Sequence, residues 1–231
     1  YDENMSGIFF DILGMDTPDY NLGINGKTHG AMTGEMLIEI EKILMEEKPD
    51  AVLLYGDTDS TLAGALAASK LKIKVAHVEA GLRQEPKDMP EETNRVLTDR
   101  ISSFLFVPSE TGISNLKKEG LTDNVYFTGD VMYDIFLKME PHFDDSLLKK
   151  YNLEKENYIV MTMHRDFNVD EPKKLKTILE QVQKVSKEIP VVWPIHPRTA
   201  KRIETFGFES LLEGITILEP IDYLKLMGLT K

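Results

Sequence analysis

Short apolar runs alternate with amphipathic stretches along most of this chain. Ala51-Val52-Leu53-Leu54-Tyr55, Lys74 to Val78, Phe104-Leu105-Phe106-Val107 and Val125-Tyr126-Phe127 read as strands. Between them, Ser60 to Leu71, Glu91 to Ser102 and Glu110 to Glu119 carry helical spacing. The strands are mostly apolar with no clean two-residue alternation, which predicts helices over both faces of a parallel sheet. Strand, turn and helix repeated in this way is the signature of crossover units.

A charged segment from Phe136 to Asn157 reads without a strand, with a turn at Pro141 to Asp145. The pattern then resumes: a strand at Tyr158 to Met163, a helix at Glu171 to Glu188, and strands at Pro190 to Pro194 and Gly214 to Leu218. The expected organisation is two Rossmann-like domains, residues 1–140 and 141–231, facing a cleft. In such sheets ligands bind beyond the carboxyl ends of the strands. The stretch from Tyr1 to Gly14 reads as a helix, and Tyr223 to Lys231 as a helix stopped midway. Both ends are therefore expected to be cut.

Composition narrows the function. At 42% apolar and 29% charged, the 231 residues are ordinary for a globular protein. The net charge of −12 argues against non-specific binding to nucleic acid or to an anionic membrane. No run is long and apolar enough to span a bilayer, and no signal peptide opens the chain. A cytoplasmic location is expected. With no cysteine, disulfides, thiolate nucleophiles and cysteine metal sites are excluded.

Ionisable residues gather where the strands end. The run YGDTDST places Asp57 and Asp59 after the first strand; Asp59 reads equally as a helix cap, and Asp57 as a catalytic or sugar-binding carboxylate. In VAHVEAGLR, His77 reads as a core histidine hydrogen-bonded to backbone. Glu79 at a buried strand end is costly unless paired or functional, and Arg83 is the partner at hand. In MPEETNR, Glu91 and Glu92 suit the first turn of a helix, and Arg95 lies within reach of both for an intrahelical pair. The run MTMHRDFN delivers His164 and Arg165 to a strand end, either for a phosphate or in a loop capped by Asp166 or Asn168. In WPIHPRT, His196 and Arg198 face either the same cleft or the surface. His77 and Glu79 share a strand face, but further metal ligands at suitable spacing are missing, so no metal is expected.

GDTDST, HVEAGLR, MPEETNR, TGDVMYD, a strand ending in HR, and PIHPRT occur in this order. Together they resemble the UDP-N-acetylglucosamine 2-epimerase family of the non-hydrolysing, archaeal-like type, over essentially the whole chain. The resemblance implies an α/β fold of two Rossmann-like domains in the GT-B manner, both incomplete here. It implies interconversion of UDP-GlcNAc and UDP-ManNAc by loss and re-addition of UDP through 2-acetamidoglucal, without a cofactor. It also implies a role in polysaccharide synthesis and a homodimer. Asp57, Glu79 and Glu91 match the family's acid/base carboxylates. His164 matches the histidine near the leaving group, and Arg95 the arginine of its motif. Arg83, Arg95, Arg165 and His196 are expected to bind substrate.

The chain departs from the family at Phe167, where glutamate is expected, and at Asp130, where many members have asparagine. Neither the family's GTRPE loop nor its SGG-x-x-EE segment is found in the chain, so the chain alone is expected to be inactive. The run NLGINGKTHGAMTG follows the archaeal pattern and argues against the bacterial allosteric site. A hydrolysing epimerase releasing UDP and ManNAc, a GT-B glycosyltransferase and a non-catalytic nucleotide-sugar-binding protein are the competing readings.

Overall fold

The structure, a computed structural model, describes residues 16–85 and 87–231; the helix expected over residues 1–14 lies outside them. The described chain separates into two compact units, with the division after Ile135.

The first unit holds α1 (His29–Glu47), β1 (Ala51–Tyr55), α2 (Asp59–Lys70), β2 (Lys74–Val78), α3 (Pro90–Ile101), β3 (Phe104–Val107), α4 (Glu110–Lys118) and β4 (Val125–Phe127). Helix α5 (Val131–Met139) straddles the division. The four strands form one parallel sheet in the order β1-β2-β3-β4, with Leu54 beside His77 and Tyr55 beside Val78. Helix α2 lies close on this sheet because its inner face is small. Ala63, Ala65, Ala67 and Ala68 are fully buried, and Leu54 presses against Gly64. Pro90 opens α3, where a missing N–H costs nothing, and the Ser109 hydroxyl caps α4 by accepting from the Gly112 N–H at 3.1 Å.

The second unit holds a 3₁₀ turn (Glu140–His142), α6 (Ser146–Lys150), β5 (Ile159–Val160), α7 (Asp166–Val169), α8 (Pro172–Val185), β6 (Val191–Pro194), α9 (Pro197–Phe206), a second 3₁₀ turn (Glu209–Leu212), β7 (Ile215–Leu218) and α10 (Tyr223–Thr230). Its parallel sheet runs β5-β6-β7. Both faces of β6 are covered. Val191 and Trp193 join Leu175, Leu179 and Ile203 in one cluster. Val192 joins Leu147, Leu148 and Leu229 in another.

The α/β class with parallel sheets is the one expected, and the first four strands fall where the pattern placed them. Other expectations need correcting. Helix α1 rests Leu37, Ile40 and Leu44 on the cluster around α2 and was not foreseen. Nor were α5, α6 within the charged segment, or α9. The strand expected from Tyr158 to Met163 shrinks to two residues: after the Met161 N–H reaches the Val192 carbonyl, the Met163 carbonyl turns instead to the Thr199 hydroxyl. Among the described residues only one face of strand β1 is covered, since Leu53 and Tyr55 are 50% and 59% exposed. No helix among the described residues is long and apolar enough to cross a membrane.

Candidate active site

In the first unit the carboxyl ends of β1 and β2 lie side by side, and each turns sharply. Gly56 takes φ +66° and Glu79 takes φ +71°. A left-handed conformation is costly for a residue with a side chain and persists only where the surroundings impose it. The turn after β1 carries Asp57; the turn after β2 is Glu79 itself. The Glu79 carboxylate passes close to Gly56, 3.9 Å from where a Cβ would stand, and makes no hydrogen bond among the described residues. Burial, and then the nearby carboxylates of Asp57 and Asp130, push the Glu79 carboxyl above the ordinary carboxylate value.

Helix α3 closes over these turns. Its Arg95 donates an Nη2 hydrogen bond to the Asp57 carboxylate and lies 3.3 Å from Glu92. The intrahelical partner is thus Glu92, not Glu91. Glu92 also accepts from the Gln84 N–H at 3.0 Å, while Glu91 has no side-chain partner among the described residues. Asn94 donates to the Asp57 carbonyl at 3.0 Å and to Asp59 at 3.2 Å, so α3 grips the loop after β1 at two points. Asp59 does not cap its helix. It accepts from Asn94 and pairs with His29 at 2.7 Å. His29, Asp59, Glu91 and Asn94, with Met32 and residues 21–24, line a hollow of about 540 Å³.

Arg83 does not pair with Glu79. Its Nη1 reaches Asp99 at 2.8 Å, and its Nε and Nη2 fork onto Glu119, each at 2.7 Å. Four of its donors are engaged inside the protein, counting the Leu82 carbonyl at 2.6 Å. These carboxylates hold the guanidinium's proton more firmly than usual. His77 is a buried core histidine, as expected, but its partners include Asp99 at 2.7 Å as well as the Gly56 carbonyl at 2.8 Å.

In the second unit, the ends of β5 and β6 carry His164 and His196. Their rings stack with centroids 5.2 Å apart. Burial, and then the charge of His196 and Arg165, hold the His164 imidazole below the ordinary value of 6.5. His196 also serves as the cap of α9, accepting from the Arg198 N–H at 3.1 Å. Arg198 turns to Asp170 at 2.5 Å, which Arg202 shares at 2.9 Å. Arg165 makes no side-chain hydrogen bond among the described residues. Phe167 is 55% exposed, with Lys174 over its ring at 5.2 Å.

His29, Asn94 and Asp99 escaped the sequence reading. Asn94 had a signal, lying three residues after Glu91 on the same helical face. The other two had none, because their partners lie 30 and 22 positions away. No group of three or more metal-ligating side chains converges among the described residues.

Parallel sheets with carboxylates, histidines and arginines gathered at the strand ends define an α/β chain of the Rossmann-like kind, in which such ends are where ligands bind. The family model for UDP-N-acetylglucosamine 2-epimerase matches residues 1–231, and the chain belongs to that family. A UDP-N-acetylglucosamine 2-epimerase homolog of Methanococcus maripaludis is 47% identical over 99% of this chain and 65% of its own length. A UDP-2,3-diacetamido-2,3-dideoxy-D-glucuronate 2-epimerase of Pseudomonas aeruginosa is 46% identical over 99% of this chain and 64% of its own. The crystal structure of Methanocaldococcus jannaschii UDP-GlcNAc 2-epimerase, in complex with UDP-GlcNAc and UDP, superposes with a TM-score of 0.87 at 45% identity, over 99% of this chain and 66% of that one. The chain therefore spans just under two thirds of the length of these relatives.

Proposed function

We propose that the protein to which this chain belongs interconverts UDP-GlcNAc and UDP-ManNAc. The observation that carries the reading is the packing of Asp57 and Glu79 at adjacent strand ends, with Glu91 opening α3, in a chain that matches the epimerase family throughout.

The C2 hydrogen of the sugar is not acidified by a carbonyl, so its removal needs a coupled leaving group. A base takes the C2 proton, the C1–C2 double bond forms, and the C1–O bond breaks with its electron pair going to UDP. The bound 2-acetamidoglucal is then protonated at C2 on the opposite face while UDP re-adds at C1. The route needs a proton acceptor, a proton donor and support for the diphosphate's charge. Glu79 takes the donor's part, as the carboxylate whose proton affinity is raised by burial and then by Asp57 and Asp130. Asp57 and Glu91 remain for proton removal. His164, Arg165 and His196 take the diphosphate. Arg83 and Arg95, both engaged with carboxylates, support the site from behind rather than meeting the ligand. No cofactor enters this route, and the family suggests a cytoplasmic homodimer serving polysaccharide synthesis.

The Pseudomonas relative gives a second reading in which a diacetamido-glucuronate nucleotide replaces UDP-GlcNAc. Exposed Phe167, at a position where the family expects glutamate, is consistent with an altered sugar preference. Proton NMR of the complete protein in deuterated water, with each sugar nucleotide in turn, tests both. Deuterium at C2 with a UDP-ManNAc signal is the expected result. UDP with free ManNAc would move the protein to the hydrolysing branch. Exchange only with the uronate would establish the second reading, and no exchange with either would leave a binding protein.

A further inference from the structure

Behind the strand ends lies a chain of buried groups that the acid–base roles do not use. His77 has no solvent exposure, nor does Asp99. Nε2 of His77 is 2.8 Å from the Gly56 carbonyl oxygen, and Nδ1 is 2.7 Å from Oδ1 of Asp99. A carbonyl has no proton to give, so Nε2 carries one and donates it. The second contact also needs a proton, on the ring or on the carboxyl. Oδ2 of Asp99 already accepts from the Gly81 N–H at 3.0 Å and from the Arg83 guanidinium at 2.8 Å. Two donors, one of them cationic, favour the carboxylate anion, which puts the proton on the ring. The outer face of Arg83 forks onto Glu119. His77, Asp99, Arg83 and Glu119 then alternate in sign and sum to zero, the condition under which charges can be buried without a large penalty.

We infer that His77 is a buried, doubly protonated imidazolium, and that the His77–Asp99 pair is the device that positions Asp57 and Glu79. The ring holds Gly56, the residue immediately before Asp57. The carboxylate holds Gly81, two residues after Glu79. Gly81 takes φ +80°, next to Glu79 at +71°. Asn115 secures the other side of Gly81 by donating to its carbonyl at 3.0 Å. One hydrogen-bonded pair thus fixes both turns. His77 and Asp99 are positioning residues; neither meets the sugar. Their effect on turnover rests on the epimerase reading, whereas the proton count and the backbone brace do not.

Nitrogen NMR of the complete protein labelled at histidine tests the proton count, with the His77 signals identified by their loss in His77→Gln. Two ring N–H groups at neutral pH are expected, one of them lost in Asp99→Asn. A ring with a single N–H in the unsubstituted protein would overturn the imidazolium. Amide hydrogen exchange tests the brace: Asp99→Asn should speed exchange at Gly81 at least about tenfold while distant strands keep their protection. Unchanged exchange at Gly81 would sink the positioning role. In steady-state epimerisation the same variant should lose about tenfold or more in kcat with KM within about twofold, the mark of a misplaced catalytic group rather than lost binding. An unsubstituted protein that turns over neither sugar nucleotide would defeat the epimerase reading alone. An unfolded Asp99→Asn would leave the question to the histidine spectrum of the unsubstituted protein.

Discussion

The two units solve the same problem differently. Both end parallel strands in ionisable residues. In the first, the charges are sunk into a buried network: Asp99 has no exposure, and the Arg83 and Arg95 side chains have 15% and 11%. In the second, they stay near water: Asp170 meets Arg198 and Arg202 on a surface where all three side chains are a third or more exposed. The first arrangement ties down the backbone turns beside Glu79, whose proton affinity is raised by burial and then by Asp57 and Asp130. The second leaves the stacked His164 and His196 and the unengaged Arg165 able to meet an anion. Buried, multiply bonded charge is concentrated in the first unit, and exposed charge in the second.

Replacing the central carboxylate of each network should separate the two most sharply. Asp99→Ala leaves His77 and Arg83 without their shared counter-ion, and a loss of about 3–5 kcal/mol is expected by chemical denaturation. Asp170→Ala should leave the denaturation midpoint unchanged within error, because exposed ion pairs contribute little. Equal effects would erase the distinction. Gly81→Ala tests the packing of the first network. An added Cβ would stand 2.6 Å from the Gly112 carbonyl oxygen at a φ that already disfavours side chains, so about 2–3 kcal/mol should be lost in the same assay.

Glu79→Gln should reduce turnover by about 10²–10⁴-fold if this residue delivers the proton, yet stabilise the fold at neutral pH. The sign follows from its raised proton affinity. Between the ordinary value of 4.5 and the higher value in the fold, the folded state holds more protons than the unfolded one, so stability falls as pH rises through that window. Glutamine removes the cost, and the gain should vanish below the ordinary value. Thermal melts across pH check this.

In the second unit, the pH dependence of UDP affinity is the expected signal. The free His164 imidazole is held below its usual value, and a bound diphosphate would favour its protonated form. Binding should therefore take up a proton and strengthen as pH falls through the histidine range, measured by titration calorimetry. His164→Gln should flatten that dependence. The smallest effect is expected from Asp130→Asn. Removing one of the two carboxylates near Glu79 should move the alkaline limb of the rate profile to lower pH.

The sequence by itself determined the α/β class, because near-continuous apolar runs separated by helical spacing leave few alternatives to a parallel sheet. Strands β1 to β4 were legible to the residue for that reason. It also marked the candidate residues: Asp57, Glu79, Glu91, His164 and His196 all lie at strand ends or helix starts, where a change of period and a run of ionisable types single them out. The Trp193 cluster needed little more than hydrophobicity.

Only the tertiary structure decided who pairs with whom. Arg83 goes to Asp99 and Glu119 rather than to Glu79 four residues away, because the left-handed turn at Glu79 and Gly81 carries the two side chains apart. Asp59 goes to His29 rather than to its own helix, because α1 packs beside α2 and brings the imidazole within 2.7 Å. Local spacing offers a charged residue its nearest partner along the chain. Burial selects the partner that also satisfies backbone donors and carbonyls, and those groups meet only when the sheet has formed.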